Sequence, residues 1–423
     1  MDHKSSELVC RPRTCTITKM TETVLIAGGG IGGLASGLSL ARAGAVVRVL
    51  ERAPALTEVG AGVQLGPNVT RILSAWGLSS ALEAVAAFPA NLRSRSAVSG
   101  ELLATLSLQD MPTRYGAPYV TIHRADLQTL LLQDAQAQGV VVRCDAHVQD
   151  VQNLGDAVAV ALSHQGSELT ERADALVVAD GVWSVLRQQL LRDGVPRMTG
   201  HLAYRALVAQ SDLPVHLRTQ DVTVWMGPRV HVVQYPVCGG EWLNVVCLTE
   251  GQLEGVAVQE LQGWNLRKTA ASTGADLQAA LTGACPTLHA LVDACGEWRL
   301  WPLCDRVPMR AAHEHVQGRA VLVGDAAHPM RPYLAQGAGM AIEDAAELGH
   351  QWTVLANHDV PMRLNAFAQA RWQRNAQVQA RAIRNGDVFH ATGPVQWARD
   401  AGLRMLGARL MDVPWLYRYR QGA

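Results

Sequence analysis

The chain reads as an α/β protein, with a parallel nucleotide-binding sheet interrupted by an antiparallel block and closed by helices. Three observations predict this. A short β-branched and apolar run, TVLIA at 23–27, leads straight into glycines. From Tyr204 to Thr249 the texture changes to alternating strands separated by Gly and Pro, as in VHVVQYPVCGGEWLNVVCL. The run AVLV at 320–323 then returns to the parallel-strand type, and helical patterns fill 338–356 and most of 360–423.

Taken in order, residues 23–27 are apolar throughout, as in a strand buried on both faces. Residues 31–43 read as a helix and VVRVLER (46–52) as a second strand, completing a βαβ unit. Helical patterns near 68–87 and 124–138 follow, then VVVRC (140–144), a hairpin near 148–171 and the apolar strand ALVVAD (175–180). This order predicts a nucleotide-binding domain from 22–92, 120–199 and 302–356. A substrate domain from 93–119 and 200–301 interrupts it, and a helical part covers 357–423. Residues 1–21 read as a disordered extension, with translation from Met20 as the other reading.

Composition excludes several classes. Of 423 residues, Lys plus Arg and Asp plus Glu each number 37, so no bulk charge favours nucleic acid or an anionic membrane. No uninterrupted apolar run reaches the ~18 residues of a membrane span. The eight cysteines form no CxxC pair and no zinc-ligand spacing, which predicts a reducing, cytoplasmic setting and no metal site. The first nineteen residues lack the apolar core of a signal peptide.

The chemistry starts at Gly28, Gly30 and Gly33, which form GxGxxG between strand and helix. The first glycine makes the tight turn and the second lets backbone approach a pyrophosphate. The third lets helix pack on strand, so that the helix N-terminus faces the phosphates. Glu51 stands 23 residues after Gly28 at the end of the second strand, where an acid binds ribose hydroxyls. Arg52 beside it belongs to the same candidate site. An acid at this place fits an unphosphorylated adenosine ribose, as in FAD or NAD.

The segment GDAAHPMRPYLAQGAGMAIEDA (324–345) decides between them. Together with GxGxxG, it resembles the class A flavoprotein aromatic hydroxylases, over nearly the whole chain from about Met20 to the C-terminal helices. The resemblance implies non-covalent FAD on a glutathione-reductase-type domain, with Asp325 on the ribityl chain. It also implies that Gly337, Ala338 and Gly339 aim a helix at the pyrimidine end of the flavin, where a helix N-terminus stabilises the reduced anion. DALVVADGVWSVLR (174–187) looks like the family's DG motif, with Asp180 near the pyrophosphate and Ser184 and Arg187 following. Arg124 matches the arginine that contacts the FAD phosphates, although residue chemistry alone also allows a solvated residue in a first turn. Gly62 and Val63, in EVGAGVQLGPN (58–68), match the segment beside the flavin ring. The single GxGxxG implies that NADH or NADPH visits as a transient reductant.

His231 and Tyr235 lie four residues apart on a strand pattern, so both project to one face. The resemblance is closest to the salicylate, 3-hydroxybenzoate and 6-hydroxynicotinate hydroxylases, where such a pair faces substrate. It implies O2-dependent hydroxylation of a small phenolic, carboxylated aromatic through a flavin C4a-hydroperoxide, with the pair accepting the phenolic proton. By residue type alone, the two also fit a satisfied core. A larger quinol, quinolone or polyketide substrate is the first alternative, and a non-catalytic flavin-binding protein the second. No motif marks a carboxylate clamp; Arg205, Arg229 and Arg331 are the candidates, and Arg331-Pro332-Tyr333 places bulk and charge in the loop facing the flavin. Trp225, Trp242, Trp298 and Trp301 read as sheet packing, with one of them as a candidate to line an aromatic pocket. The helix carrying Arg371, Arg374, Arg381 and Arg384 reads as a solvated face. The closing WLYRYR (415–420) reads either as a contact of a homodimer or as a docked tail.

Overall fold

The computed structural model describes residues 21–56, 62–251 and 270–421. The expectation for 1–21 lies, except for Thr21, outside the described residues, as do positions 58–61 of the segment expected beside the flavin.

Strand Thr23–Ala27 sits at the centre of a six-stranded sheet. Ala175–Val178, Ala320–Leu322 and Val316–Gln317 lie to one side of it, and Val46–Leu50 and Val141–Arg143 to the other. All pairings are parallel except the edge hairpin at 316–322. The central strand is apolar on both faces because both are covered. Val24 and Ile26 pack with Leu34 and Leu38 of helix Ile31–Arg42. Leu25 packs the opposite way, against Val158, Val160 and Leu162 of a three-stranded antiparallel sheet spanning Ala146–Ala173. Each such side chain removed from water stabilises the fold by about 1.5–3 kcal/mol.

The antiparallel block is a seven-stranded sheet. It runs from Arg299–Asp305 through Arg197–Ala209, Trp242–Glu250, Val230–Val237 and Val222–Gly227 to Asn91–Ser96 and Leu102–Ser107. Its Val232, Leu243, Val245 and Cys247 face Leu277, Leu281, Leu288 and Leu291, which precede the last strand. The opposite face carries His231, Tyr235 and Leu248, turned toward the loop at 332–334 and the end of helix Val360–Phe389.

The structure corrects three expectations. The helical pattern at 68–87 is two helices, Pro67–Ala75 and Ser79–Val85, because Gly77 takes φ +79° between them. Trp242 is 39% exposed, whereas Trp225 and Trp301 are buried in the sheet. The arginine helix is not a solvated face: Arg371 is wholly buried and Arg374 nearly so, and only Arg384 of the four is exposed. Arg371 donates to Asp344 Oδ1 at 2.8 Å, to Glu343 Oε2 at 3.0 Å and to Asn375 at 3.0 Å. Arg374 grips both oxygens of Glu343 at 2.6 and 2.7 Å, and Tyr419 stacks over its guanidinium. The closing segment is therefore docked on its own chain. This network ties helix Gly337–Val354 to helix Val360–Phe389, because paired guanidinium and carboxylate groups tolerate burial that single ones do not.

Candidate active site

The glycine turn is built by exclusion. Gly28 takes φ +106°, and a Cβ there would sit 2.4 Å from the Ala179 carbonyl oxygen. A Cβ at Gly33 would sit 1.9 Å from the carbonyl oxygen of Gly28. At Gly30, by contrast, nothing lies within 4 Å, and helix Ile31–Arg42 starts there without a side-chain cap. Open space above uncapped helix N–H groups is what an approaching pyrophosphate needs. Glu51 braces the turn: Oε2 accepts from the Gly29 N–H at 2.6 Å and Oε1 from the Ala53 N–H at 2.8 Å. A carboxylate has about four acceptor sites, so the same group still has capacity for ribose hydroxyls. Arg52 is exposed, and its charge is felt at Asp180.

Asp180 closes the turn from the next strand. Burial raises its carboxyl pKa above the usual range, and its Oδ1 has no hydrogen-bond partner among the described residues. Ser184 caps helix Val185–Leu191 by accepting from the Arg187 N–H at 2.9 Å. Arg187, buried, donates to the carbonyls of Ala326 and Ala327 and so fastens the DG segment to the GD segment. Asp325 is half-buried at the mouth of helix Gly337–Val354, its Oδ1 3.9 Å from where a Gly337 Cβ would stand. Burial raises its pKa, while the charges of Arg124, His328 and Arg205 oppose the rise. Helix Gly337–Val354 also starts without a side-chain cap. Ala338 packs on the core, and a Cβ at Gly339 would press within 2.9 Å of Val69.

Gly62 and Val63 open strand Gly62–Leu65, which pairs with Val120–His123 just before Arg124. The antiparallel sheet clamps Gly62 from both sides: its N–H donates to Asn244 Oδ1 at 2.8 Å, and its carbonyl accepts from the Tyr235 hydroxyl at 2.7 Å. Burial raises the Tyr235 pKa, so this hydroxyl keeps its proton and acts as a donor. His231 is buried, with Nδ1 2.7 Å from His390 Nε2. Burial, then the neighbouring His390 and His201, hold it well below the usual imidazole range.

Of the three arginine candidates, Arg331 is bound to Asp305 at 2.8 Å, and Arg229 is largely exposed beside Glu250. Arg205 is opposite Val246, which is opposite Val233, and His231 is opposite Leu248, which is opposite Ala203. The register places Arg205, His231 and Tyr235 on one face. Arg205 lies over the Trp301 ring, and its charge is felt at both Tyr235 and Asp325. Sequence reasoning missed His390 and Asn244, which no motif marks.

A nucleotide cradle with one carboxylate oxygen of Asp180 left without a partner and two uncapped helix mouths, beside a sheet face bearing His, Tyr and Arg, defines an FAD-dependent aromatic monooxygenase. The chain belongs to the FAD binding domain family, whose model matches residues 21–382. It is 38% identical to 3-hydroxybenzoate 6-hydroxylase 1 of Aquipseudomonas alcaligenes, covering 94% of this chain and 98% of that protein. Identity to the 6-hydroxynicotinate 3-monooxygenase of Pseudomonas fluorescens is 33%, over 84% and 89% of the two chains. Among solved structures, a salicylate hydroxylase substrate complex superimposes with TM-score 0.77 at 25% identity, covering 95% of this chain and 97% of that one. No helix of the described residues is long and apolar enough to cross a membrane.

Proposed function

We propose that this enzyme hydroxylates a small phenolic, carboxylated aromatic at the expense of NADH or NADPH and O2, in the cytoplasm. The observation that carries the reading is the shared sheet face of Arg205, His231 and Tyr235, joined to the Gly62 loop by the Tyr235 hydroxyl. Gly28, Gly30 and Gly33 would admit the pyrophosphate of FAD, Glu51 its ribose, and Arg124 and Asp180 its phosphate side, with Arg52 at the rim. Asp325 would hold the ribityl chain, and Gly62, Val63, Gly337, Ala338 and Gly339 would border the ring. Bound FAD would take up reducing equivalents from the nicotinamide and pass them to O2.

The protein's own contribution is electrostatic and protonic. An aromatic ring attacked by an electrophile reacts faster as phenolate, so a positioned base accelerates the step. His231 would take the phenolic proton, Arg205 would face the anion, and Tyr235, which stays protonated, would hold the cofactor loop in register. The test is the ratio of product formed to NADH consumed with 3-hydroxybenzoate as probe. His231→Ala and Tyr235→Phe should retain FAD, and His231→Ala should lower product formation by roughly 10²-fold, with oxygen leaving as hydrogen peroxide. Variants that lose thermal stability but keep wild-type coupling would return both residues to a packing role.

A further inference from the structure

His231 is enclosed by aromatic and imidazole rings contributed by three other segments. His390, the residue after helix Val360–Phe389, has its ring centroid 5.0 Å from that of His231 and 5.0 Å from that of His201, with which it stacks. The rings of Tyr333 and Phe389 pack beside it at 5.1 and 5.4 Å. Backbone fixes the position of His390: its carbonyl accepts from the Arg229 N–H at 3.0 Å. The ring contacts run in one direction. His231 Nδ1 lies 2.7 Å from His390 Nε2, whereas His390 Nδ1 is buried without a hydrogen-bond partner among the described residues, 3.7 Å from Glu250 Oε1, whose side chain is 43% exposed. Buried imidazole thus brings the strand of His231 to within one short side-chain movement of a carboxylate at the surface.

We propose that His390 is a proton-relay residue, which passes the proton taken from substrate by His231 outward to Glu250. This rests on the reading of His231 as the base. The relay starts with Nδ1–H on both rings. Substrate O–H gives its proton to His231 Nε2 as His231 Nδ1–H gives one to His390 Nε2. The partly exposed Glu250 side chain closes the 3.7 Å gap to His390 Nδ1–H, takes its proton and releases it to water. One O–H bond breaks in the substrate, one proton reaches solvent, and each ring ends as the other neutral tautomer. No imidazolium accumulates, which is what this site requires. Burial pushes the pKa of His390 down to about 3, with His201 and Arg399 adding to the effect, and His231 is also strongly lowered. A ring that cannot store a proton serves as a base only when it can hand the proton on. The other charged and titratable groups around the cluster are Arg331, Asp305, Asp387 and Arg229, and the Tyr333 hydroxyl lies 2.5 Å from His201 Nδ1.

The experiment mixes FAD-loaded enzyme with 3-hydroxybenzoate in weak buffer and follows proton release with an indicator dye by stopped flow. His390→Gln should bind the probe as wild type does and retain FAD, yet release the proton roughly tenfold or more slowly, with added imidazole restoring the rate. Glu250→Gln, at the exposed end, should slow release and flatten its pH dependence, and it serves where His390→Gln folds poorly. Wild-type release rates in both variants, with release lost in His231→Asn, would overturn the relay and leave the base intact. Unchanged release in His231→Asn as well, or no proton released by wild type, would overturn both.

Discussion

Replacing Arg371 with methionine removes the centre of the buried network that ties helix Gly337–Val354 to helix Val360–Phe389. The guanidinium is 0% exposed, as are Glu343 and Asp344, and it makes bonds of 2.8, 3.0 and 3.0 Å to Asp344, Glu343 and Asn375. Breaking a buried ion pair from one side costs about 3–5 kcal/mol, since the surviving charge remains buried. Here the lower figure applies. Arg374 still grips Glu343 at 2.6 Å, and His328 Nε2 still faces Asp344 at 2.5 Å. The expected loss is therefore about 3 kcal/mol. FAD should leave ahead of global unfolding, because Gly337 lies at the end of the loosened helix. Urea titration of the FAD-loaded protein, read by flavin fluorescence and by far-UV circular dichroism, separates the two events. Arg384→Met, exposed on the same helix, is the control and should stay within about 0.5 kcal/mol of wild type. An Arg371→Met shift no larger than this control would refute the reasoning.

Two glycines one turn apart should respond in opposite ways. Gly33→Ala drives a methyl group into the Gly28 carbonyl and should abolish folding of the turn, seen as insoluble or colourless protein. Gly30→Ala meets no atom within 4 Å and should leave apoprotein melting unchanged, while FAD affinity falls about tenfold or more in fluorescence titration. Acid sensitivity has a defined window. Burial holds His315 down to about 4, whereas the unfolded imidazole titrates near 6.5. Above the unfolded value nothing is lost. As pH falls from about 6.5 toward 4, the unfolded chain binds a proton that the fold refuses, so stability drops. Near pH 4 and below, Glu343 and Asp344 extend the loss: burial alone would raise their pKa values, but Arg374, Arg371 and His328 outweigh it. Melting curves from pH 8 to 4 should show this slope, reduced in His315→Gln; a flat profile in wild type would contradict it.

Much of this was legible in the residues themselves. GxGxxG with Glu51 names its own geometry, because a pyrophosphate turn admits few alternatives and each glycine answers a separate steric demand. Strand faces were equally readable: a spacing of four put His231 and Tyr235 together, and the register added Arg205. The arginine helix was misread for a physical reason. Periodicity tells which residues share a face but not what lies opposite, and the carboxylate partners of Arg371 are 27 and 28 residues away on another helix. His390 was invisible for the same cause, since its meaning comes from a contact 159 positions distant. Tyr235 was expected as a proton acceptor; only its burial against the Gly62 carbonyl shows it to be a donor.

That hydroxyl carries a thermodynamic consequence. It has a single proton to give, and the Gly62 carbonyl holds it. With the Gly62 loop beside the cofactor as proposed, a substrate whose oxygen recruits the Tyr235 O–H takes it from that loop, so occupancy of one site is written into the free energy of the other. The coupling is reciprocal: whatever factor substrate imposes on FAD affinity, FAD imposes on substrate affinity. Tyr235→Phe deletes the shared proton and should make the two equilibria more nearly independent.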